Sequence, residues 1–291
     1  MSTVDISADY LSPLIDRWNF TEKPLIVGVS GPQGSGKSYL AENLVSALVL
    51  KYPQLNIVNV SIDDFYLTHH EQKELPTRYP GCGLVTDGRG LPGTHSVDLV
   101  SSILRKIKAR ESGFDIPVYD KSKFKGEGDR LPISQGKSIN KPVDVVIFEG
   151  WFLGFKSVDH ELENVWSQAI QGSENAEITK FLTRIDYKQI ELIDQLLKNY
   201  EYLWSMFDRF IYLATNDLLN IYQWRLQQEY ALIKSKGVGM SDKEVVAFVD
   251  RYLPVYKLYY HKLIQEGSLE RGHNLKIEID HTRTVQSTTI L

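Results

Sequence analysis

Residues 31–40 read GPQGSGKSYL and follow the short apolar run LIVGVS at 25–30. An apolar strand that opens into a glycine-rich turn and then into a helix-forming sequence is built to hold anions. Gly31, Gly34 and Gly36 let the backbone turn so tightly that successive N–H groups converge on phosphate oxygens. The helix that follows adds its positive N-terminal end. The stretch matches G-x-x-x-x-G-K-[ST], in which Lys37 reaches the β- and γ-phosphates and the Ser38 hydroxyl ligates Mg²⁺. The expected nucleotide-binding set is therefore Gly31, Pro32, Gln33, Gly34, Ser35, Gly36, Lys37, Ser38 and Tyr39. Guanine-specific proteins carry N-K-x-D; the nearest approach, NKPVD at 140–144, has its aspartate one place late. ATP with Mg²⁺ is the expected ligand. The loop leaves open whether the terminal phosphate goes to water, acts as a switch, or passes to a second molecule.

The chain around this loop is ordinary in bulk. Its 291 residues are 42% hydrophobic and 24% charged, with a formal net charge of −4 and a pI near 6.0. This balance argues against a polyanion, so no nucleic-acid partner is expected. Cys82 is the sole cysteine, which excludes an internal disulfide and suits a reducing compartment. The first residues, MSTVDISADYLSPLIDRW, have neither a basic n-region nor an apolar h-region. No apolar run approaches the roughly 20 residues that span a bilayer. A cytoplasmic protein, without membrane contact or an obligate protein partner, is expected.

Nearly continuous apolar runs at 25–30, 56–62, 143–149, 209–214 and 275–280 read as strands buried on both faces. Helical periodicity lies between them, at 38–51, 96–111, 186–206, 216–235 and 241–265. The alternation predicts an α/β fold with a five-stranded parallel sheet and helices on both faces. Residues 67–95 and 112–141 are rich in Gly, Pro, Lys and Arg and read as long loops of the kind that are functional or mobile, and 171–177 reads as an exposed loop. Ser241 and Glu244 form a capping box, and Pro254 is expected to kink the last helix. The aromatics on that helix, Phe248, Tyr252, Tyr256, Tyr259 and Tyr260, read as a core stripe. Nothing marks a domain boundary, so 1–291 reads as one domain.

Three further stretches bear on chemistry. SIDDFYLT at 61–68 ends the second strand, and ligands of open α/β sheets sit beyond the carboxyl ends of strands. Asp63 and Asp64 should emerge beside the phosphate loop, one of the two facing a substrate because successive strand residues alternate. A carboxylate there suits a phosphoryl acceptor, whose hydroxyl must be oriented and deprotonated. Glu149 ends the strand VDVVIFE, where a carboxylate can hold Mg²⁺ through water. Lys121, Lys123, Lys125 and Arg130 concentrate positive charge in an acidic protein, as an anionic acceptor requires, and Arg130 or Arg89 suits bidentate carboxylate binding. The histidines show no metal-ligand spacing.

D-x-F-Y after the second strand resembles the uridine kinase, phosphoribulokinase and pantothenate kinase group of P-loop kinases. RGLPGTHSVDL (89–99), IPVYDKSKFKGEGDR (116–130), FEGWFLGF (148–155), IYQWRLQQE (221–229) and GMSDKEVVAFVDRYLPVYKLYYHKL (239–263) narrow this, and together they resemble the D-glycerate 3-kinase family, its fungal cytosolic members most. Ser96 after His95 departs from the His-Asp pair expected of plant members. The resemblance implies a three-layer P-loop kinase with acceptor-binding loops at 67–141 and a lid with C-terminal helices at 216–265. It implies Asp63 as catalytic base, with Lys37 and Arg225 as catalytic cations, Arg225 closing a lid. It implies Tyr66, Arg89, His95, Tyr119, Lys121 and Arg130 as acceptor-binding, and the neighbourhood of Thr282 and Arg283 as the adenine site. D-glycerate is the leading acceptor. Rival readings are a nucleoside, pantothenate or another metabolite as acceptor, an NTPase that hydrolyses or switches without one, and a nucleotide-binding protein with no turnover that acts as a structural or interaction partner.

Overall fold

The computed structural model describes residues 1–172, 175–237 and 239–291. Strand β1 (Leu25–Ser30) is buried at every position, as its unbroken apolar run requires. Around it stand β2 (Ile57–Ser61), β3 (Val145–Gly150), β4 (Arg209–Ala214), β5 (Asn274–Ile279) and β6 (Val285–Ile290), in the order β6-β5-β4-β1-β3-β2. The first five are mutually parallel where they pair. The sheet thus has six strands where five were expected, and the sixth pairs antiparallel with β5. Its sequence, VQSTTI, is polar and largely exposed, so no buried-strand pattern marked it.

The order 4-1-3-2 puts a crevice where β1 leaves the sheet. Val29 lies opposite Glu149 and Ser30 opposite Gly150, while Ser61 on β2 also faces Glu149. The three strands therefore end at one level, and the segments leaving them share one space. Gly28 is opposite both Phe148 and Phe210, and a Cβ on it would sit 2.7 Å from the rings of Phe207 and Phe210. Only glycine lets that aromatic layer lie flat on the strand.

The helices that matter below are α1 (Thr3–Ile15), α2 (Lys37–Lys51), α3 (His69–Arg78), α4 (Val97–Lys108), α5 (Tyr187–Trp204), α6 (Asn220–Lys236) and α7 (Asp242–Val255). None in the described residues is long and apolar enough to cross a membrane. Segment 67–95 is less irregular than expected, because it holds α3, begun by a Thr68–Glu71 capping box, and a helical turn at Gly83–Thr86. Segment 112–141 carries two small ribbons, Phe114–Ile116 with Lys137–Ile139 and Tyr119–Asp120 with Asp129–Arg130. Within 171–177, Gln171 closes one helix, and Ala176 and Glu177 open another under the Asn175 cap. Residues 173 and 174 lie outside the described residues.

Just beyond Pro254, α7 passes into a π-helical turn, Tyr256–Tyr260, and on to His261–Glu266. Proline has no N–H for the i−4 carbonyl, and one extra residue in the following turn accommodates the defect. This segment is anchored to α5 by Asp194, which is 3% exposed. Asp194 accepts from the N–H groups of Val158 (3.0 Å) and Asp159 (3.3 Å), the Ser157 hydroxyl (2.6 Å) and the Tyr259 hydroxyl (2.9 Å). Asp194→Ala strands these donors, each costing about 1–3 kcal/mol when buried unpaired. Urea denaturation should show a loss of at least about 3 kcal/mol; a loss under about 1 kcal/mol would contradict this account.

Candidate active site

The glycines of the loop are used for two different reasons. Gly36 caps α2 with φ 96°, a left-handed conformation that favours glycine, and it has no atom near its Cβ position. Gly34 has φ 80°, and a Cβ there would come within 2.5 Å of Trp224 Cβ. Trp224, on α6, is fully buried and donates from Nε1 to the His281 carbonyl (2.7 Å). Arg283 lies over the Trp224 ring at 5.5 Å and donates from Nε to the Gly34 carbonyl (2.6 Å) and from Nη1 to Gln227 (2.8 Å). The loop is therefore seated against α6 and the β5–β6 turn, and the segment expected near adenine does reach it.

Asp63 and Asp64 sit in a 3₁₀ turn, Ile62–Phe65, beyond a strand that ends at Ser61. The strand alternation expected for them does not apply, yet the turn still separates them. Asp63 Oδ2 accepts from Lys121 (2.6 Å) and Oδ1 from the Tyr66 hydroxyl (2.7 Å). Burial alone would raise its pKa, but Lys121, Lys37 and Tyr66 outweigh it and hold the carboxyl at about 2. Asp64 accepts the Tyr119 N–H (3.1 Å), and burial together with Asp63 and Glu149 pushes it up to about 6.

Glu149 is 6% exposed, and its Oε1 accepts from Ser61 (2.6 Å). Its Oε2 has no hydrogen-bond partner among the described residues. Burial raises its pKa, with Lys37 opposing. A buried, half-satisfied carboxylate at the foot of a phosphate loop fits a hydrated divalent cation.

The expected acceptor residues divide into two groups. Lys121, Tyr66 and Arg89 line a cleft of about 1520 Å³ together with Gln33, Lys37, Ser38, Asp63 and Arg225. Arg89 is fixed by Nη1 bonds to the carbonyls of Gly126 (2.8 Å) and Glu127 (2.6 Å) and packs over the rings of Tyr66 and Tyr119. His95, Tyr119 and Arg130 stand behind this wall. His95 is buried under the Tyr66 ring at 4.5 Å, with Nδ1 near the Tyr200 hydroxyl (3.1 Å), and burial lowers its pKa to about 4. Arg130 donates to the Tyr66 carbonyl (3.3 Å) and pairs with Glu71 (3.6 Å). These three brace the wall and do not line the cleft. Arg225 pairs with Glu229 and lies over Phe248 at 4.9 Å, and Tyr39 points outward, 66% exposed.

Sequence reasoning missed Arg251, Tyr252, Tyr256 and Trp151. Arg251 and the Tyr252 hydroxyl donate to the Arg89 carbonyl, the latter at 2.9 Å, and Trp151 donates to the Gly90 carbonyl at 2.9 Å. The tyrosine rings are core, as the stripe on the last helix implied, but their hydroxyls reach the cleft walls. Helical spacing reports where rings pack and carries no information about a hydroxyl at the ring's end.

The chain as a whole is similar to known proteins. The chain is 40% identical over 296 residues to the probable ATP-dependent kinase TDA10 of Saccharomyces cerevisiae, covering 99% of this chain and 96% of that one. A solved D-glycerate 3-kinase from Cryptococcus neoformans superposes with a TM-score of 0.88 at 33% identity, over 100% of both chains. The chain belongs to the D-glycerate 3-kinase family of P-loop kinases. The chloroplastic D-glycerate 3-kinase of Arabidopsis thaliana is 35% identical over 268 residues, 89% of this chain and 53% of that protein. No protein-family model matches. Family membership makes the protein a kinase, a phosphotransferase with a small-molecule substrate.

The two adjacent aspartates should respond to neutralisation with opposite signs. Asp63, depressed to about 2, contributes stability above its unfolded pKa, and that stability is lost as pH falls from about 4 toward 2. Asp64, raised to about 6, binds a proton in the folded state that the unfolded chain has released, so stability falls as pH rises from about 4 to 6. At pH 7.5, Asp63→Asn should cost about 1–2 kcal/mol and Asp64→Asn should gain about 1–2 kcal/mol. The Asp64→Asn gain should shrink below pH 6. Equal signs in chemical denaturation would refute the assignment.

Proposed function

We propose that the protein transfers the γ-phosphoryl group of ATP to a hydroxyl of a small anionic metabolite, with D-glycerate the foremost candidate. The observation that carries this reading is the ionised Asp63 carboxylate, held between Lys121 and Tyr66 and electrostatically coupled to Lys37 of the loop. A water-consuming NTPase has no need of a carboxylate tethered to a cation on a separate basic segment. A kinase needs one to orient the acceptor hydroxyl.

In this reading Lys37 and the loop amides of Gly34, Gly36, Lys37 and Ser38 hold the phosphates, in keeping with the ATP-dependent yeast relative, while the Gln33 N–H goes to Tyr256. Mg²⁺ would be held by Ser38 and, through water, by Glu149, and would neutralise phosphate charge. Asp63 accepts a hydrogen bond from the acceptor hydroxyl and takes its proton late in the transfer. A carboxyl on the acceptor competes with Asp63 for Lys121 and meets Arg89, whose Nη1 alone is engaged with backbone carbonyls. Drawing Lys121 away raises the basicity of Asp63 as the acceptor arrives, which favours an anion over a neutral alcohol. Arg225, now paired with Glu229, closes over the transferring group and excludes water.

ADP release measured with Mg²⁺-ATP, with and without D-glycerate, tests this. D-glycerate should stimulate turnover, and Asp63→Asn should cut the stimulated rate by about 10²–10⁴-fold while ATP still binds. Stimulation that survives Asp63→Asn removes the base. Low background turnover without stimulation by D-glycerate leaves a kinase for another hydroxylated anion.

A further inference from the structure

The Tyr256 hydroxyl accepts the backbone N–H of Gln33 at 3.0 Å. Having accepted there, it must place its own proton on an acceptor, and the Gln33 side-chain oxygen lies 3.1 Å away. This fixes which way round the side-chain amide sits: the oxygen faces Tyr256 and the NH₂ group faces away from it. The Gln33 NH₂ has no partner among the described residues, and Gln33 lines the cleft beside Gly34 and Lys37. Tyr256 is 1% exposed, and burial raises its pKa well above the ordinary phenol value, so its proton stays on.

The same tyrosine belongs to the acceptor wall. Trp151 packs between Tyr256 (5.0 Å) and Tyr252 (5.2 Å) and donates to the Gly90 carbonyl, while Tyr252 donates to the Arg89 carbonyl. Gln33 is thereby held on the side of the phosphate loop that faces the acceptor loop. The end of the nucleotide that faces an acceptor is its terminal phosphate.

We infer that the Gln33 side-chain amide donates hydrogen bonds to the terminal phosphate of the nucleotide, and that Tyr256 is the positioning residue that aims it. This rests on the reading of 31–38 as the phosphate loop. The loop's role is carried by backbone amides and Lys37; the side-chain contact adds discrimination between a triphosphate and a diphosphate.

The test compares calorimetric affinities for ADP and for the β,γ-imido analogue of ATP, both with Mg²⁺. Gln33→Met removes the donors without adding charge; it should weaken the analogue about tenfold and leave ADP within about twofold. Tyr256→Phe keeps Gln33 but frees its amide, and should weaken the analogue about threefold, again sparing ADP. Tyr259→Phe loses a buried hydroxyl bond of similar length, to Asp194, and serves as control: it should lower the melting temperature and leave both affinities unchanged. A purely structural role for Tyr256 predicts the control's pattern, or equal losses for both nucleotides. Either result, or full triphosphate affinity in Gln33→Met, overturns the inference. Failure of the unaltered protein to bind either nucleotide overturns the loop reading itself.

Discussion

Asp63, Asp64 and Glu149 occupy one crevice from which much of the water is excluded, with Lys37 and Lys121 as the cations that oppose them. Carboxylates this close and this dry cannot all carry charge without compensation. The compensation is uneven: Asp63 takes the Lys121 contact and stays ionised, Asp64 takes a backbone N–H, and Glu149 takes a serine hydroxyl with one oxygen left over. One lysine arrives with the phosphate loop and the other with a ribbon more than fifty residues beyond the strand end that carries Asp63. The fold has to bring both to one place.

Legibility followed burial and backbone geometry. The phosphate loop was readable because its function lies in the backbone, so the glycines that permit the turn appear in the letters themselves. The strands Leu25–Ser30 and Val145–Gly150 were readable because burial on both faces demands unbroken apolar runs. Strand Val285–Ile290 was not, because an exposed edge tolerates VQSTTI and leaves the choice to a tertiary partner. Helix His69–Arg78 did carry a local signal, the Thr68–Glu71 box, which the surrounding Gly- and Pro-rich segment obscured.

Within the site, the residues expected to bind an acceptor fall on two sides of one wall. Arg89 and Lys121 face the cleft, whereas Arg130 and His95 have the chemistry of ligand-binding residues but hold Tyr66 from behind. Residue type alone does not separate a group that touches substrate from one that fixes its neighbour. The distinction depends on which face of a 3₁₀ turn and which side of a two-residue ribbon each group occupies, at a scale finer than any periodicity in the sequence.

The π-helical turn at Tyr256–Tyr260 acts as a phase shift in a rotating shaft. Each residue of an α-helix advances the side-chain direction by about 100°. Within five residues the hydroxyls of Tyr256, Tyr259 and Tyr260 must reach Gln33, Asp194 and Thr215, on three separate elements. The widened turn supplies the rotational offset that lets one continuous helix meet all three. A chain one residue shorter there would turn everything upstream, Tyr252 included, by about a quarter of a revolution, so in this segment length is as much constrained as residue identity.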